Sequence, residues 1–168
     1  MHIMDKSEFS IRKAGKSDHE HIWQIIEEAI AGGDTLAFAP DTGKEEMLAF
    51  WCAPYAHTYV VELAGTIVGT YFIKANQPGL GAHIANAGYI TAKTAGGKGI
   101  GQAMCSHSLK AAKALGYRAM QFNLVIKSNT RAVKLWQKMG FAIIGEIPEA
   151  FNHSRLGMTN ALIMYQKL

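Results

Sequence analysis

The sequence predicts an α/β fold. Strand-like and helix-like segments follow in the order β-α-α-β-β-β-α-β-α-β-β, and the β-α-β unit over residues 85–126 calls for two parallel strands side by side. A length of 168 residues suits a single domain, 1–168, with one sizeable core, and 49% hydrophobic against 18% charged residues is ordinary for a globular chain.

Residues 9–14 (FSIRKA) alternate weakly and predict the first strand. Ser17-x-x-Glu20 has the spacing of a capping box, after which Ile22, Ile25, Ile26, Ala29 and Ile30 share one helical face until Gly32-Gly33. Turn residues fill 34–42 (DTLAFAPDT), and a shorter helix over 44–53 carries Met47, Phe50 and Trp51 towards Pro54. This helix pair is placed to cover a cleft. Tyr59–Leu63 and Thr66–Lys74 flank Ala64-Gly65 as a hairpin, and 83–92 (HIANAGYITA) forms a further strand. From Ile100 an apolar stripe runs through Ala103, Met104, Ala111 and Leu115, with Lys110 and Lys113 near its C-terminal dipole and Gly116 as its stop. Residues 117–126 predict a strand, Asn129 a helix cap, and Ala132, Leu135, Trp136 and Met139 the face of the last helix. Phe141–Ile147 and Ala161–Gln166 complete the chain as strands.

Between the 83–92 strand and the helix from Ile100 lies Gly96-Gly97-Lys98-Gly99-Ile100-Gly101, four glycines in six positions. It is not a P-loop, since Ala92 stands where the first glycine belongs and Gly99 where the hydroxyl belongs. Nor is it a dinucleotide fingerprint, because Gln102 or Met104 falls at the third glycine. A run of small residues feeding a helix N-terminus still offers free N–H groups and a positive dipole end to a phosphate or pyrophosphate.

Net charge of +4 from 17 basic and 13 acidic residues is too small and too scattered to indicate nucleic acid. Cys52 and Cys105 stand apart without histidines at ligand spacing, so neither a metal site nor a disulfide framework is expected. The first residues lack the apolar run of a signal peptide, and no stretch approaches the ~18 apolar residues of a membrane helix, so the expectation is a cytoplasmic chain with no membrane partner. A homodimer is allowed, though no residue pattern requires it.

The glycine run, together with Asn129-x-x-Ala132-x-x-Leu135-Trp136-x-x-x-Gly140-Phe141, resembles the GCN5-related N-acetyltransferase (GNAT) superfamily over nearly the whole chain. The resemblance implies a central mixed, mostly antiparallel sheet of six to seven strands, splayed between its parallel central pair and flanked by about four helices. It implies acetyl-CoA as cosubstrate and no metal. The pyrophosphate would lie on Gly96, Gly97, Lys98, Gly99, Ile100 and Gly101, and the pantetheine would pair with the strand at Tyr89, Ile90 and Thr91, with Asn129 alongside. Gly96 departs from the family's usual Arg or Gln. Trp136 stands where the family often has a tyrosine that protonates the departing thiolate, and an indole N–H cannot serve as that acid.

The segments YFIKANQPG, HIANAGYI and GYRAMQFNLVIKSN are similar to the fungal branch that acetylates azetidine-2-carboxylate and related proline analogues. That likeness implies that Asn86 and Asn123 face the substrate. An asparagine inside a strand needs a partner in any case, so each is either a substrate contact or a satisfied core amide. Glu62 and Glu146 are candidate bases, although a solvated strand-edge carboxylate suits either better. His107 reads as a core residue. The function expected is acetyl transfer to the amine of a small molecule, an amino or imino acid among the candidates, by direct attack within a ternary complex. A protein N-terminal or lysine acetyltransferase, an antibiotic or herbicide acetyltransferase and a non-catalytic acyl-CoA-binding domain remain alternatives. A peptide acceptor would need an open groove between the 31–43 loop and the 147–158 segment.

Overall fold

The computed structural model describes residues 9–168; the expectation about a leader concerns residues outside this range. Eleven main elements follow in order: β1 (Phe9–Lys13), α1 (His19–Ala31), α2 (Lys44–Trp51), β2 (His57–Leu63), β3 (Thr66–Ala75), β4 (Ile84–Thr91), α3 (Ile100–Ala114), β5 (Ala119–Ile126), α4 (Thr130–Lys138), β6 (Ala142–His153) and β7 (Gly157–Lys167). The seven strands form one sheet in the order β1-β2-β3-β4-β5-β7-β6. Every neighbouring pair is antiparallel except β4 and β5, the pair that the β-α-β spacing makes parallel.

Alternation along the strands divides the core into two layers. Ile22, Ile26 and Ile30 of α1 and Met47 and Trp51 of α2 pack on Val60, Phe72 and Ile90 from one face of the sheet. Ile100, Met104 and Ala112 of α3 meet Tyr71, Ile73, Ala85, Met120 and Phe122 on the other, where Trp136 of α4 packs alongside. Each fully buried isoleucine of α1 contributes roughly 1.5–3 kcal/mol, enough to fix which face of the helix turns inward.

The sequence expectation fails at the start of α1. No capping box forms from Ser17; Asp18 takes the N-cap position without capping the helix. Its carboxylate instead accepts from both terminal guanidinium nitrogens of Arg12, at 2.8 and 2.9 Å, and from the Gly15 N–H at 2.7 Å. Ser17 lies inside a 3-10 turn, Lys16–Asp18, that begins at Gly15 and leads into α1, so it is not at the N-cap, and Glu20 pairs with Lys44 of α2 instead. The closing strands also run well past the expected 141–147 and 161–166, forming a long hairpin whose ladder shifts register between Ile143 and Gly145 and between Ile147 and Phe151. Strong alternation is lost at those irregularities, which is why the sequence reads there as loop.

Candidate active site

The parallel pair closes only at Ile84–Ala119 and Ala85–Met120, after which β4 and β5 diverge. Along β4 the even residues bond to β3: Asn76 N–H donates to Ile84 C=O and Ala92 N–H to Val68 C=O, both at 2.8 Å. The odd residues Ala87, Tyr89 and Thr91 therefore turn their N–H and C=O groups towards β5, where no strand pairs with them. The divergence opens a cleft of about 440 Å³, lined by Ala87, Tyr89 and Thr91 of β4, Phe122 and Leu124 of β5 and Trp136 of α4. On its other side stand Ile25, Glu28 and Ala29 of α1 and the 34–36 segment.

A second cleft of about 720 Å³ continues from it at the N-terminus of α3, sharing Thr35, Thr91, Lys93, Asn129 and Ala132 with the first. Gly97 and Gly99 adopt φ of +77° and +74°, and a Cβ at either would meet nothing within 4 Å. The turn thus needs glycine for its backbone, while the space beside it lies open. Ile100, Gly101 and Gln102, whose N–H groups have no partner in the first helical turn, line the same cleft. Lys93, Arg131, Lys134 and Lys138 bring positive charge to its walls. These residues fit a phosphate-bearing cosubstrate: an open cradle of N–H groups, a helix dipole and cations around it.

Not every sequence-predicted residue occupies the place expected. Lys98 is exposed and lines neither cleft, because the left-handed residues on both sides of it turn its side chain outward. Ile90 pairs through its backbone with Thr70 of β3, which leaves the unpaired strand edge to its odd-numbered neighbours. Ile100 contributes backbone to the cradle while its side chain is core, 1% exposed. Asn129 caps α4, its side-chain oxygen accepting from Ala132 N–H at 3.2 Å, and lines both clefts as well.

Asn86 and Asn123 border the closed end of the divergence rather than line the cleft. Asn86 Nδ2 donates to the Gln121 carbonyl at 3.0 Å, bridging the strands where the backbone ladder stops. Asn123 accepts from Gln121 Nε2 at 3.0 Å and donates to Asn76 Oδ1 at 2.7 Å. The amides form a polar patch one residue removed from Ala87 and Phe122, the first residues of the open cleft.

Among the candidate bases, Glu62 is held by Arg12 at 3.1 Å. Glu146 is held by Lys127 at 2.9 Å and receives the Asn160 amide, and the Lys127 ammonium keeps its carboxyl below the usual range. Neither lines the cleft; the carboxylates that do are Glu28 and Asp34. Their signal was present for Glu28, which follows Ile25 by one helical turn and shares its face. Arg131, Lys134 and Lys138, at i, i+3 and i+7, were legible in the same way. His107 faces the core side, its Nδ1 bonded to the Tyr71 hydroxyl, and burial lowers its pKa.

Trp136 forms part of the cleft wall, with ring centroids 5.0 Å from Tyr89 and 5.0 Å from Phe122. Tyr89 does not substitute as an acid. Ser108 Oγ gives its own hydrogen to the Cys105 carbonyl, so the Tyr89 hydroxyl, 2.6 Å away, donates to Ser108, and burial raises its pKa far above the ordinary value.

Beside the first cleft, which Gly32 and Asp34 help to line, two segments distant in sequence meet. At the tip of the β6–β7 hairpin Ser154 N–H donates to Gly33 C=O at 3.1 Å and Ser154 Oγ to Gly32 C=O at 2.8 Å. Arg155 lies 3.9 Å from Asp34, and a Cβ on Gly33 would come within 3.2 Å of Ser154. The 6%-exposed His153 ring accepts the Arg155 and Leu156 N–H groups through Nδ1 and so holds the tip in shape. No helix of the described residues is long and apolar enough to cross a membrane.

Known proteins share this architecture. A GCN5-related N-acetyltransferase from Kribbella flavida superposes with a TM-score of 0.91 at 37% identity, over 95% of this chain and 98% of that one. N-acetyltransferase aca1 of Schizosaccharomyces pombe is 32% identical over 98 residues, which are 58% of this chain and 47% of the relative, so the match spans less than half of aca1. The fold is also that of yncA from Salmonella typhimurium, solved with its cofactor acetyl-CoA, at TM-score 0.85 and 20% identity over 96% of this chain and 95% of that one. The model of the acetyltransferase (GNAT) family matches residues 18–141, the stretch holding the diverging strands, the glycine cradle and the capped last helix, and the chain belongs to that family.

Proposed function

We propose that the chain transfers an acetyl group from acetyl-CoA to the amine of a small molecule, by direct attack in a ternary complex. The observation that carries the small-molecule reading is the junction of two segments beside the first cleft. A peptide acceptor needs a groove between the α1–α2 loop and the β6–β7 tip, and Ser154, Gly32, Gly33 and the Arg155–Asp34 pair tie those segments together.

Acetyl-CoA supplies an activated acyl carbonyl whose leaving group is a thiolate. The protein's part is to position and to polarise. Gly96, Gly97, Gly99, Ile100, Gly101 and Asn129 surround the pyrophosphate site, with Arg131, Lys134 and Lys138 in place of the outward-turned Lys98. The unpaired edge of Ala87, Tyr89 and Thr91 offers N–H and C=O groups to the pantetheine, and an N–H from that edge meets the charge that develops on the acyl oxygen. Asn86 and Asn123 orient the acceptor at the closed end. Most of the rate enhancement then comes from holding amine and carbonyl at attack distance. As the C–N bond forms and the C–S bond breaks, the proton shed by the amine passes to water, and the thiolate, with no acidic side chain committed to it, takes its proton from water.

Release of free thiol from acetyl-CoA, followed on mixing with a panel of small amines, amino and imino acids and peptides, tests the proposal. Turnover with a small amine and none with peptides is expected. Peptide turnover at comparable kcat/KM overturns the small-molecule reading, and acetyl-CoA binding without turnover of any amine overturns the transfer reading.

A further inference from the structure

Lys74 lies opposite Asn86 in the β3–β4 register, on the same face of the sheet as Phe72 and as the patch of Asn86, Gln121 and Asn123. Its side chain runs over an aromatic wall: Nζ is 4.1 Å from the ring centre of Phe50 and 5.6 Å from that of Phe72. Phe38 of the α1–α2 loop extends this wall edge-to-face against Phe50 at 4.9 Å. Lys74 is half-buried, yet none of the ion pairs among the described residues includes it. Every other lysine and arginine among the described residues is exposed, and even so Arg12 is gripped by two carboxylates.

A half-buried ammonium without a counter-ion is costly, and burial lowers the Lys74 pKa accordingly. The aromatic faces offset part of that cost but cannot complete three N–H donors. Its neighbours supply both kinds of partner: Asn86 uses one N–H on Gln121 and Asn123 one on Asn76, each retaining a second, while the Asn86 side-chain oxygen is free to take an N–H from a bound amine. A site of this composition, bordered by an apolar wall, is complementary to an anion carried on a compact organic body.

We propose that Lys74 binds the carboxylate of the acceptor, selecting amines that carry an acid group, while Asn86 and Asn123 orient the amine end. The role rests on the proposed acetylation of a small amine and adds the residue that chooses among such amines. It predicts that a carboxylate-bearing acceptor outcompetes its uncharged counterpart because only the former satisfies Lys74. Loss of one charge-assisted contact raises KM roughly ten- to hundredfold.

The test compares L-proline with L-prolinamide and L-alanine with L-alaninamide as acceptors, using wild type, Lys74→Met and Lys74→Arg, with acetyl-CoA affinity and thermal melting measured for each. Wild type is expected to prefer the acid of each pair. Lys74→Met should raise KM for the acids alone, with acetyl-CoA affinity and melting little changed, and Lys74→Arg should restore much of the preference. Equal use of acid and amide by wild type, or an equal loss for both in Lys74→Met, overturns the role of Lys74. Turnover of other amines but of neither pair overturns it too while leaving small-amine acetylation standing. Failure with every amine removes both.

Discussion

Replacing Gly96 by valine and Gly99 by alanine separates the two reasons a glycine can occupy the loop before α3. Gly96 has φ −61° and ψ 148°, an ordinary extended conformation for a β-branched residue, and a Cβ there meets only the Lys93 carbonyl, at 3.7 Å. Valine at 96 therefore strains nothing, and the reduced freedom of the unfolded chain offsets any small loss. Its three added carbons enter the cleft at the head of the helix, where the phosphates must approach the backbone. Loss of one or more N–H contacts to an anion, at about 1.5–3 kcal/mol each, weakens acetyl-CoA binding roughly ten- to hundredfold. Gly99 is the opposite case, because φ of +74° costs alanine about 1–2 kcal/mol although a Cβ has open space around it. At about 2–4 °C per kcal/mol for a chain of this size, Gly99→Ala lowers Tm by roughly 2–8 °C. Titration calorimetry with acetyl-CoA and differential scanning calorimetry read the two effects separately. A folded Gly96→Val variant that binds acetyl-CoA with unchanged affinity would refute the placement of the pyrophosphate on this loop.

Trp136→Phe should keep catalysis within about tenfold, since the indole packs against Tyr89 and Phe122 without supplying an acid; a fall in kcat beyond roughly a thousandfold with intact acetyl-CoA binding would give the indole a direct role. Asn86→Ala removes the 3.0 Å bridge to Gln121, so it should cost about 1 kcal/mol in stability in addition to roughly a hundredfold in kcat/KM, whereas Asn123→Ala, on the exposed side of the patch, should act mainly on KM. If steady-state kinetics of folded Asn86→Ala matched wild type, the residue would serve only to pin the strands. Arg12 holds the Asp18 carboxyl below its ordinary pKa of 3.8, so the stabilisation is complete above that pH and is lost as pH falls through the lower folded value. Melting curves should therefore decline more steeply in acid for wild type than for Arg12→Met, and parallel declines would show that the pair contributes nothing.

Local chemistry made much of this protein readable from its sequence. The glycine cradle, the Asn129 cap and the apolar faces of α1 and α3 depend on residues a few positions apart, and φ, capping and helical periodicity act over that range. The parallel β4–β5 pair followed from the length of its crossover. Other features depend on groups far apart in the chain that meet only across the sheet. Ser17 is not a cap because it falls inside a 3-10 turn that Asp18 pins to Arg12 of β1 and to the Gly15 N–H. The odd-numbered edge of β4 is free because β5 leaves it after Ala85, a divergence that no local propensity encodes. The junction beside the first cleft joins Gly32 to Ser154, 122 positions apart. Lys74 became a candidate for recognition only when register placed it opposite Asn86 and packing laid it over Phe50. Sequence spacing sets local backbone geometry, but burial, charge pairing and the edge a strand leaves open are properties of the neighbours it acquires on folding.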